Sequence, residues 1–217
     1  MIKYFLVTLF FVQLTSFEDI HILKNGKPWQ NKMQVIPGRI ECELYDEGGE
    51  GIAYHDADSI NNGSGKLNPA NGNFLNEFRM HEGVDISYTK DNNVDNNPYN
   101  KVMPQLNQLY LGWTQPGEWV NYTVNVNETA LYHVTVMYTS NAGGAVSLDI
   151  DNKPATGSLK VNTTYDARDT VAWRQWHHWN KADSLTSLKI KKGTHLLTLH
   201  IVEKGNMNFD YIEFTKQ

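Results

Sequence analysis

An alternation of apolar and polar residues with a period of two runs through the second half of the chain, and it constrains the fold more than any other feature. It is clearest where Val120, Tyr122, Val124 and Val126 share one face, and it recurs at 132–138, 146–150, 197–201 and 209–214. Because side chains alternate between the two faces of a β-strand, each run predicts a strand with one buried face. No segment shows a helical period, so the pattern predicts an all-β sandwich of two antiparallel sheets.

The first half of the chain predicts fewer strands and longer connections. Residues 39–45 alternate, with Ile40, Cys42 and Leu44 on one face, and so predict a half-buried strand. Residues 55–77 and 89–108 are rich in Asn, Asp, Gly and Ser and show no period. Two long loops in one domain indicate a functional rim.

Composition excludes some partners and cross-links. The chain has 217 residues and a formal net charge of −5, which argues against a nucleic-acid ligand, whose phosphates need a basic surface. Cys42 is the single cysteine, so no intrachain disulfide can form. We expect Cys42 to be a small buried residue on a strand.

The N-terminal residues have the pattern of a secretory signal. Lys3 precedes an apolar run from Phe5 to Leu14, which is too short to span a bilayer. We therefore expect a signal peptide at 1–16, a polar lead-in segment at 17–35 and one β-sandwich module at 36–217. The expected location is secreted, periplasmic or on the cell surface, with no membrane span.

Five of the six tryptophans lie between positions 113 and 179, in the motifs GWTQPGEW (112–119) and WRQWHHW (173–179). A third motif, NMNFDYIEF (206–214), closes the chain. The flat apolar face of tryptophan matches the C–H face of a pyranose ring and loses little rotamer entropy on binding. These motifs favour a sugar-binding function.

Several collinear motifs then resemble the family 6 carbohydrate-binding modules of secreted bacterial polysaccharide-degrading enzymes. They are IPGRIECELYDEGGEGIAYHD (36–56), FRMHEGVDI (78–86), GWTQPGEWVNYTVNV (112–126), the strand from Ala130 to Tyr138, WRQW (173–176), KKGTHLLTLHI (191–201) and NFDYIEF (208–214). The resemblance covers residues 36–217. It implies a jelly-roll β-sandwich that binds a polysaccharide or oligosaccharide among the loops at one edge, with glycoside hydrolases as possible partners.

By motif position, the resemblance implies that Trp113 and Trp173 sandwich a sugar ring and that Asn208 hydrogen-bonds it. Glu118 is placed to reach a hydroxyl at the rim of the site. We expect Trp119 and Trp176 to be core residues, because they begin strand patterns. The segment from Ser87 to Leu111 is longer than the family pattern, and we expect it to form one wall of the site.

Three carboxylates predict a structural cation. Glu41 and Glu43 lie two residues apart on the first predicted strand, and Asp210 lies on the last, which is often its neighbour in a sandwich. Like charges so close together are destabilising without a cation, and oxygen ligands suit Ca²⁺. The resemblance implies the same calcium site, with help from the backbone carbonyl of Arg79.

A small hydrolase or lyase on the same scaffold remains the alternative. The acidic pairs Asp56/Asp58, Asp149/Asp151 and Asp166/Asp169 are candidates for glycoside hydrolysis, which uses two carboxyl groups across a cleft. Acidic residues are common at strand ends and in turns, however, and no GxSxG, HExxH or P-loop pattern is present. The sequence therefore favours a non-catalytic binding module, with the sugar itself unspecified.

Overall fold

The computed structural model describes residues 26–217, so the predicted signal peptide and residues 17–25 of the lead-in segment lie outside the described residues. The strands are β1 Gln34–Ile36, β2 Gly38–Glu41, β3 Tyr54–His55, β4 Ser64–Gly65, β5 Asn68–Pro69, β6 Ile86–Tyr88, β7 Leu109–Leu111, β8 Trp119–Val126, β9 Ala130–Ser140, β10 Gly144–Ile150, β11 Lys153–Pro154, β12 Leu159–Val161, β13 Asn180–Ile190, β14 Gly193–Glu203 and β15 Met207–Lys216. One short helix, α1, spans Phe74–Glu77, and single 3₁₀ turns span Trp29–Asn31 and Ala172–Arg174.

Two main sheets pack into a sandwich, which confirms the predicted fold class. The first sheet has the order β1-β8-β14-β10-β11, with β3 beside β8 and β12 beside β10. The second has the order β13-β9-β15-β7-β6, with β2 beside β15. Neighbouring strands of both sheets are antiparallel except β1 and β8, and β4 and β5 form a separate parallel pair. Within residues 26–217, no helix is long and apolar enough to cross a membrane.

The apolar residues of the period-two runs form the facing surfaces of the two sheets. Val120, Tyr122, Val124 and Val126 of β8 are all at most 5% exposed, and the corresponding residues of β9, β14 and β15 complete the core. The alternation therefore positions the core correctly in β8, β9, β14 and β15.

The strand predicted over residues 39–45 ends at Glu41, however, and beyond it Tyr45 is fully buried while Leu44 is only partly buried. Cys42 is also fully buried in this core, as expected, although it lies in the turn after β2 and not on a strand. Burial raises the pKa of its thiol.

The expected contact between the first and last predicted strands is confirmed. β2 pairs antiparallel with β15, with Glu41 opposite Tyr211 and Ile40 opposite Ile212. On its other edge, β15 has a bulge, because Asp210 and Tyr211 together face the single residue Met137 of β9. The bulge allows both Phe209 and Ile212 to face the core, and it interrupts simple alternation at Asp210.

A buried arginine ties the described part of the lead-in segment to the sandwich. The side chain of Arg79 is 1% exposed and lies over the rings of Trp29 and Tyr45, 4.6 and 3.4 Å from their centroids. Its guanidinium donates to the carbonyls of Tyr45 (2.6 Å) and Asp46 (2.8 Å) and to the Glu82 carboxylate (2.9 Å). A planar fork with five donors satisfies this arrangement, whereas a lysine ammonium does not.

We predict that Arg79→Lys lowers the free energy of unfolding by about 3 kcal/mol, because buried acceptors lose their partners. Arg39→Lys is the matched control. Arg39 also pairs with a carboxylate, that of Glu213, but its side chain is 46% exposed. The control should therefore change stability by less than about 1 kcal/mol. Urea denaturation of both variants measures the difference, and equal effects would contradict the proposed role of Arg79.

Candidate functional site

Three tryptophans surround one cavity at the loop edge of the sandwich. The cavity has a volume of about 490 Å³, and Trp113, Trp173 and Trp176 line it. Leu67 contributes from the turn between β4 and β5, and Tyr110 contributes from β7. The structure thus brings Trp113 and Trp173 to a single cavity, although they lie 60 residues apart in the chain.

Trp113 occupies an uncommon backbone conformation. Its φ is +45°, in the left-handed region that bulky residues seldom adopt. The backbone N–H of Trp113 donates to Oδ1 of Asn208 at 2.9 Å, which holds the residue there. The preceding Gly112 permits this approach, since a Cβ at that position would lie 3.2 Å from the same oxygen. Strain of this kind tends to occur at binding and catalytic sites.

Trp173 stands at the mouth of the cavity and is 57% exposed. It lies in a 3₁₀ turn held by the buried carboxylate of Asp169, which accepts from Arg174 (Nε 2.7 Å, Nη2 2.8 Å) and from the N–H of Val171 (2.9 Å). Nε2 of His178 also lies 2.9 Å from this carboxylate. The hydrogen bonds from Arg174 hold the pKa of Asp169 well below its usual range. Asp169 thereby fixes the loop that presents Trp173.

Two tryptophans expected in the core lie elsewhere. Trp176 is half-buried in the loop and lines the cavity, whereas Trp179, three residues later, is fully buried with Tyr110, Met137 and Tyr211. The expectation for Trp176 is therefore wrong, because strand β13 begins only at Asn180.

The expectation for Trp119 is wrong for a different reason. Trp119 does begin a strand, but Val120 faces the core, and neighbouring residues of a strand point to opposite faces. Trp119 is consequently half-buried on the outer face of the first sheet, opposite His55 of β3 and His200 of β14.

Asn208 lies behind the cavity and does not line it. The residue is 0% exposed, and its amide is occupied by protein partners. Beside the bond from Trp113, its Nδ2 donates to Oγ1 of Thr139 (2.8 Å) and to Nδ1 of His177 (3.0 Å). The structure thus gives Asn208 contacts with cavity-lining residues in place of the direct sugar contact that the resemblance implies.

Glu118 is also absent from the cavity lining. One carboxylate oxygen accepts from the N–H of Gln115 (2.7 Å), and the other accepts from the N–H of Ala57 (3.2 Å). Burial raises the pKa of Glu118 to about 7, and the nearby carboxylates of Asp56 and Asp85 add to the shift. In this position Glu118 joins two loops, so the structure does not support its expected role at the sugar rim.

The long segment between β6 and β7 forms a wall of the cavity, as the sequence predicts. Lys90, Val94 and Asp95 of this segment line the cavity beside His177. Residues 101 and 102 donate backbone hydrogen bonds to the carbonyl of Trp179, which fastens the segment to the sandwich.

The polar residues Asp95 and His177 were not singled out from the sequence. Oδ1 of Asp95 accepts from Nε1 of Trp179 (3.0 Å) and lies 2.6 Å from Nε2 of His177, and Oδ2 accepts from the N–H of Lys90 (2.7 Å). Burial alone would raise the pKa of Asp95, but the hydrogen bonds from His177, Lys90 and Trp179 outweigh it and lower the pKa. The only sequence signal was the position of Asp95 within an unusually long loop.

A second, polar groove lies on the other side of Trp113. It has a volume of about 390 Å³, and its lining includes Asp58, Asp85, Lys204 and Asn206. Burial raises the pKa of Asp85 to about 7, with further contributions from Asp56 and Asp58. Trp113 therefore stands between an aromatic cavity and an acidic groove.

The three carboxylates expected to bind calcium lie on β2, just after β2 and on β15, where burial and the charge of Glu41 raise the pKa of the other two. Oε2 of Glu43 and Oδ1 of Asp210 are buried without a hydrogen-bond partner. Burial raises the pKa of Asp210 to about 7, and Glu41 adds to the shift; the pKa of Glu43 is likewise raised well above its usual value. Orphaned carboxylate oxygens of this kind fit a hard cation.

The arrangement is nevertheless not a closed coordination shell. Among the described residues, no group of three or more His, Cys, Asp or Glu side chains is spaced to hold a metal ion as it stands. Oε2 of Glu41 accepts from Nε2 of Gln108 (3.1 Å), and the carbonyl of Arg79 accepts from Nδ2 of Asn61 (3.5 Å). The unpartnered oxygens of Glu43 and Asp210 are the observation that favours a cation here. Calcium binding remains a prediction for these residues.

The fold and the cavity define a β-sandwich with an aromatic site at its loop edge. The family model for "Carbohydrate binding module (family 6)" matches residues 85–216, more than half of the chain. The chain therefore belongs to carbohydrate-binding module family 6. No curated protein matches it at a significant level of sequence similarity.

Similar solved structures have low sequence identity. A family 6 module from Clostridium stercorarium in complex with cellobiose is 13% identical, with 86% of this chain and 98% of that one covered and a TM-score of 0.49. A β-1,3-glucan-binding family 6 module from Bacillus halodurans is 17% identical, with 84% and 98% covered and a TM-score of 0.47.

A longer protein also matches. It is a family 43 arabinoxylan arabinofuranohydrolase from Bacillus subtilis in complex with cellotetraose, 15% identical, with a TM-score of 0.49. The match covers 86% of this chain but only 28% of the hydrolase.

We predict that Asp169→Asn lowers the free energy of unfolding by about 3 kcal/mol, because a neutral amide leaves the guanidinium of Arg174 without its buried counter-charge. Asp166→Asn is the matched control, since Asp166 pairs with Arg168 in the same loop but at the surface. Urea denaturation should show a clearly smaller effect for the control. If the two variants are equally stable, Asp169 does not hold the Trp173 loop.

Proposed function

We propose that the chain is a non-catalytic module that binds a polysaccharide or oligosaccharide by stacking sugar rings on Trp113 and Trp173, with Trp176 as a further wall. The observation that carries the proposal is the convergence of three tryptophans on one cavity in a member of family 6. Indole faces bury the apolar C–H faces of sugars, while the hydroxyls at the ring edge remain free for hydrogen bonds.

Under this proposal, the hydrogen bonds to the sugar come from the wall of the cavity. Lys90 presents an ammonium whose protein acceptors are long, Oγ of Ser87 at 3.4 Å and the carbonyl of Tyr88 at 3.3 Å. The carboxylate of Asp95 beside it is 1% exposed, and both of its oxygens already accept hydrogen bonds from the protein, so Asp95 holds the wall in place. The ammonium of Lys90 can donate to a sugar hydroxyl. Asn208 and Glu118, in contrast, contribute by positioning loops.

The expected affinity is low. Two indole faces that each remove about 80–100 Å² of apolar surface contribute roughly 2–2.5 kcal/mol apiece, and two or three hydrogen bonds contribute about 1 kcal/mol each. Association costs at least about 4 kcal/mol, which leaves about −3 to −5 kcal/mol and a Kd near the millimolar range. A module of this affinity gains from repeated contacts along a polymer.

The best first probes are β-glucans, since one similar module is described as binding β-1,3-glucan and another is in complex with cellobiose. Xylan is a third probe, because glycoside hydrolases that act on such polymers are the partners the sequence suggests. We further propose secretion, which the cationic start and short apolar run at residues 1–16 support.

We predict that Trp113→Ala, Trp173→Ala and Trp176→Ala each reduce retention in affinity gels containing soluble β-1,3-glucan or xylan by about tenfold or more, because each removes about 2 kcal/mol of stacking. Trp119→Ala is the matched control, since this half-buried tryptophan lies outside the cavity. Circular dichroism should confirm that the variants remain folded. Retention unchanged in all three variants, in a gel that retains the wild type, would refute the site.

A sugar-release assay, run in parallel with the affinity gels, tests the alternative of a hydrolase or lyase. The raised pKa values of Asp85 and Glu118 favour this alternative, because carboxylic acids that stay protonated near neutral pH can act as general acids. Release of reducing sugar that disappears in Asp85→Asn would favour the enzyme. Depletion onto insoluble polysaccharide without sugar release would favour the binding module.

We also propose a structural calcium ion held by Glu41, Glu43 and Asp210, with the carbonyl of Arg79 as a further ligand. The orphaned oxygens of Glu43 and Asp210 support it. Calcium would neutralise carboxylates that otherwise repel one another in a buried site.

Calcium should therefore raise the thermal midpoint of the wild type relative to a chelator. We predict that Asp210→Asn abolishes this increase and yet raises the midpoint in chelator, because it removes one of the repelling charges. Glu213→Gln on the same strand is the control and should keep the calcium-dependent increase. A wild-type midpoint that is identical in calcium and in chelator would exclude the site.

A further inference from the structure

The amide of Asn208 can take only one orientation in its buried site. The backbone N–H of Trp113 can donate but not accept, so Oδ1 of Asn208 must face it at 2.9 Å. Nδ2 therefore faces the opposite side, where it lies 2.8 Å from Oγ1 of Thr139 and 3.0 Å from Nδ1 of His177. Asn208 is 0% exposed, so water does not replace any of these partners.

This orientation selects one tautomer of His177. Because Nδ2 of Asn208 donates, Nδ1 of His177 must accept and carries no proton. The ring proton is then on Nε2, which donates to Oδ1 of Asp95 at 2.6 Å. A continuous line of hydrogen bonds thus runs from Asp95 through His177 and Asn208 to Trp113, and it is satisfied only by a neutral imidazole.

The surroundings of His177 contain few other charges. From the wall of the cavity, Asp95 contacts its ring and Lys90 lines the same space. From β7, the phenol of Tyr110 lies 5.8 Å away between ring centroids, and burial raises its pKa, so it stays uncharged at neutral pH. The remaining neighbours are the rings of Trp173, Trp176 and Trp179 and, from β15, the uncharged Asn208.

The adjacent His178 meets different partners. Its Nδ1 lies 3.0 Å from the carbonyl of Thr164, and its Nε2 lies 2.9 Å from the carboxylate of Asp169. Both nitrogens of His178 therefore face acceptors, and a second ring proton creates no conflict there. At His177, in contrast, a proton on Nδ1 would place two donors, this N–H and the side-chain N–H of Asn208, face to face.

A proton on Nδ1 of His177 would face the N–H of Asn208 across 3.0 Å. Rotating the Asn208 amide by half a turn would relieve that contact but would turn Nδ2 toward the N–H of Trp113. The conflict therefore moves along the line and does not disappear. Without the rotation the clash stays between His177 and Asn208. With it, Trp113, whose φ of +45° already carries strain, loses the hydrogen bond from its backbone N–H to Asn208.

We propose that His177 and Asn208 are positioning residues that make the tryptophan cavity sensitive to protons, so that the site binds sugar when His177 is neutral and releases it when His177 is protonated. This inference rests on the proposed sugar-binding function for its consequence, but the coupling from His177 to Trp113 does not. Histidine side chains change charge between about pH 5 and 8, which is a range that extracellular surroundings can cross.

The coupling can be measured without any sugar. In the ¹⁵N-labelled wild-type chain, the nitrogen shifts of His177 at pH 7.5 should show a proton on Nε2 and none on Nδ1. On acidification to pH 5.0, the backbone amide of Trp113 should shift with the same midpoint as the His177 ring. A proton on Nδ1 at pH 7.5, or a Trp113 amide that does not follow His177, would overturn the proposal.

A substitution separates this coupling from general acid effects. In His177→Gln, the side-chain carbonyl can accept from Asn208 and the amide can donate to Asp95, but the group does not titrate. The pH-dependent shift of the Trp113 backbone amide should therefore vanish in this variant. His133→Gln, a change of a surface histidine bonded to Ser187 and Gln217, should leave it unchanged.

Affinity gels containing soluble β-1,3-glucan or xylan test the consequence. Wild-type retention should fall about tenfold between pH 7.5 and pH 5.0, as expected for the loss of a buried hydrogen bond. In His177→Gln the ratio between the two pH values should be close to one. Wild-type retention that is equal at both pH values would refute proton-controlled release and leave the binding function intact. No retention at either pH, with the NMR coupling present, would count against the proposed function on these sugars and not against the coupling.

Discussion

The hydrogen bonds of one buried amide determine the shape of the candidate site. Asn208 on β15 joins Trp113, Thr139 and His177, which lie 95, 69 and 31 residues away in the chain. Loops of this composition have little intrinsic preference for a single conformation, so the orientation of Trp113 depends on a partner outside its own loop. The same is true of Trp173, whose turn depends on the carboxylate of Asp169. Two polar groups, each fully buried, thus hold the aromatic surface in place.

The sandwich could be predicted from the sequence because the pattern of buried residues lies within each strand. The alternation at Val120–Val126 specifies which face of β8 is buried, and the same reasoning holds for β9, β10, β14 and β15. The expectation for Trp119 and Trp176 was wrong because a position at the start of a strand pattern does not specify a buried face. Trp119 has the opposite parity to Val120, and Trp176 precedes the strand altogether, so that Trp179 is the buried ring.

The site could be predicted only in part, because its polar contacts are long-range. The family resemblance implied that Trp113 and Trp173 act together and that the segment between β6 and β7 forms a wall, and the structure places all three at one cavity. The pairing of Asp95 with His177 spans 82 residues and has no local signature. The backbone partners of Asn208 and Glu118 could not be predicted for the same reason, since a side-chain amide or carboxylate in a motif does not reveal whether it faces a ligand or a backbone N–H.

Because these polar contacts are buried, they favour one protonation state of the residues that make them. At the surface, a donor that loses its partner turns to water at little cost, whereas a buried donor cannot. Asp95, His177 and Asn208 are each at most 6% exposed, so one added proton has to be accommodated within the line that ends at Trp113. The carboxylates of Glu43 and Asp210 are also constrained by burial. Each has a buried oxygen that no group in the described chain satisfies and that cannot turn to water. In both places a buried polar group has a fixed set of partners, so a change in its charge must be compensated by the residues that surround it.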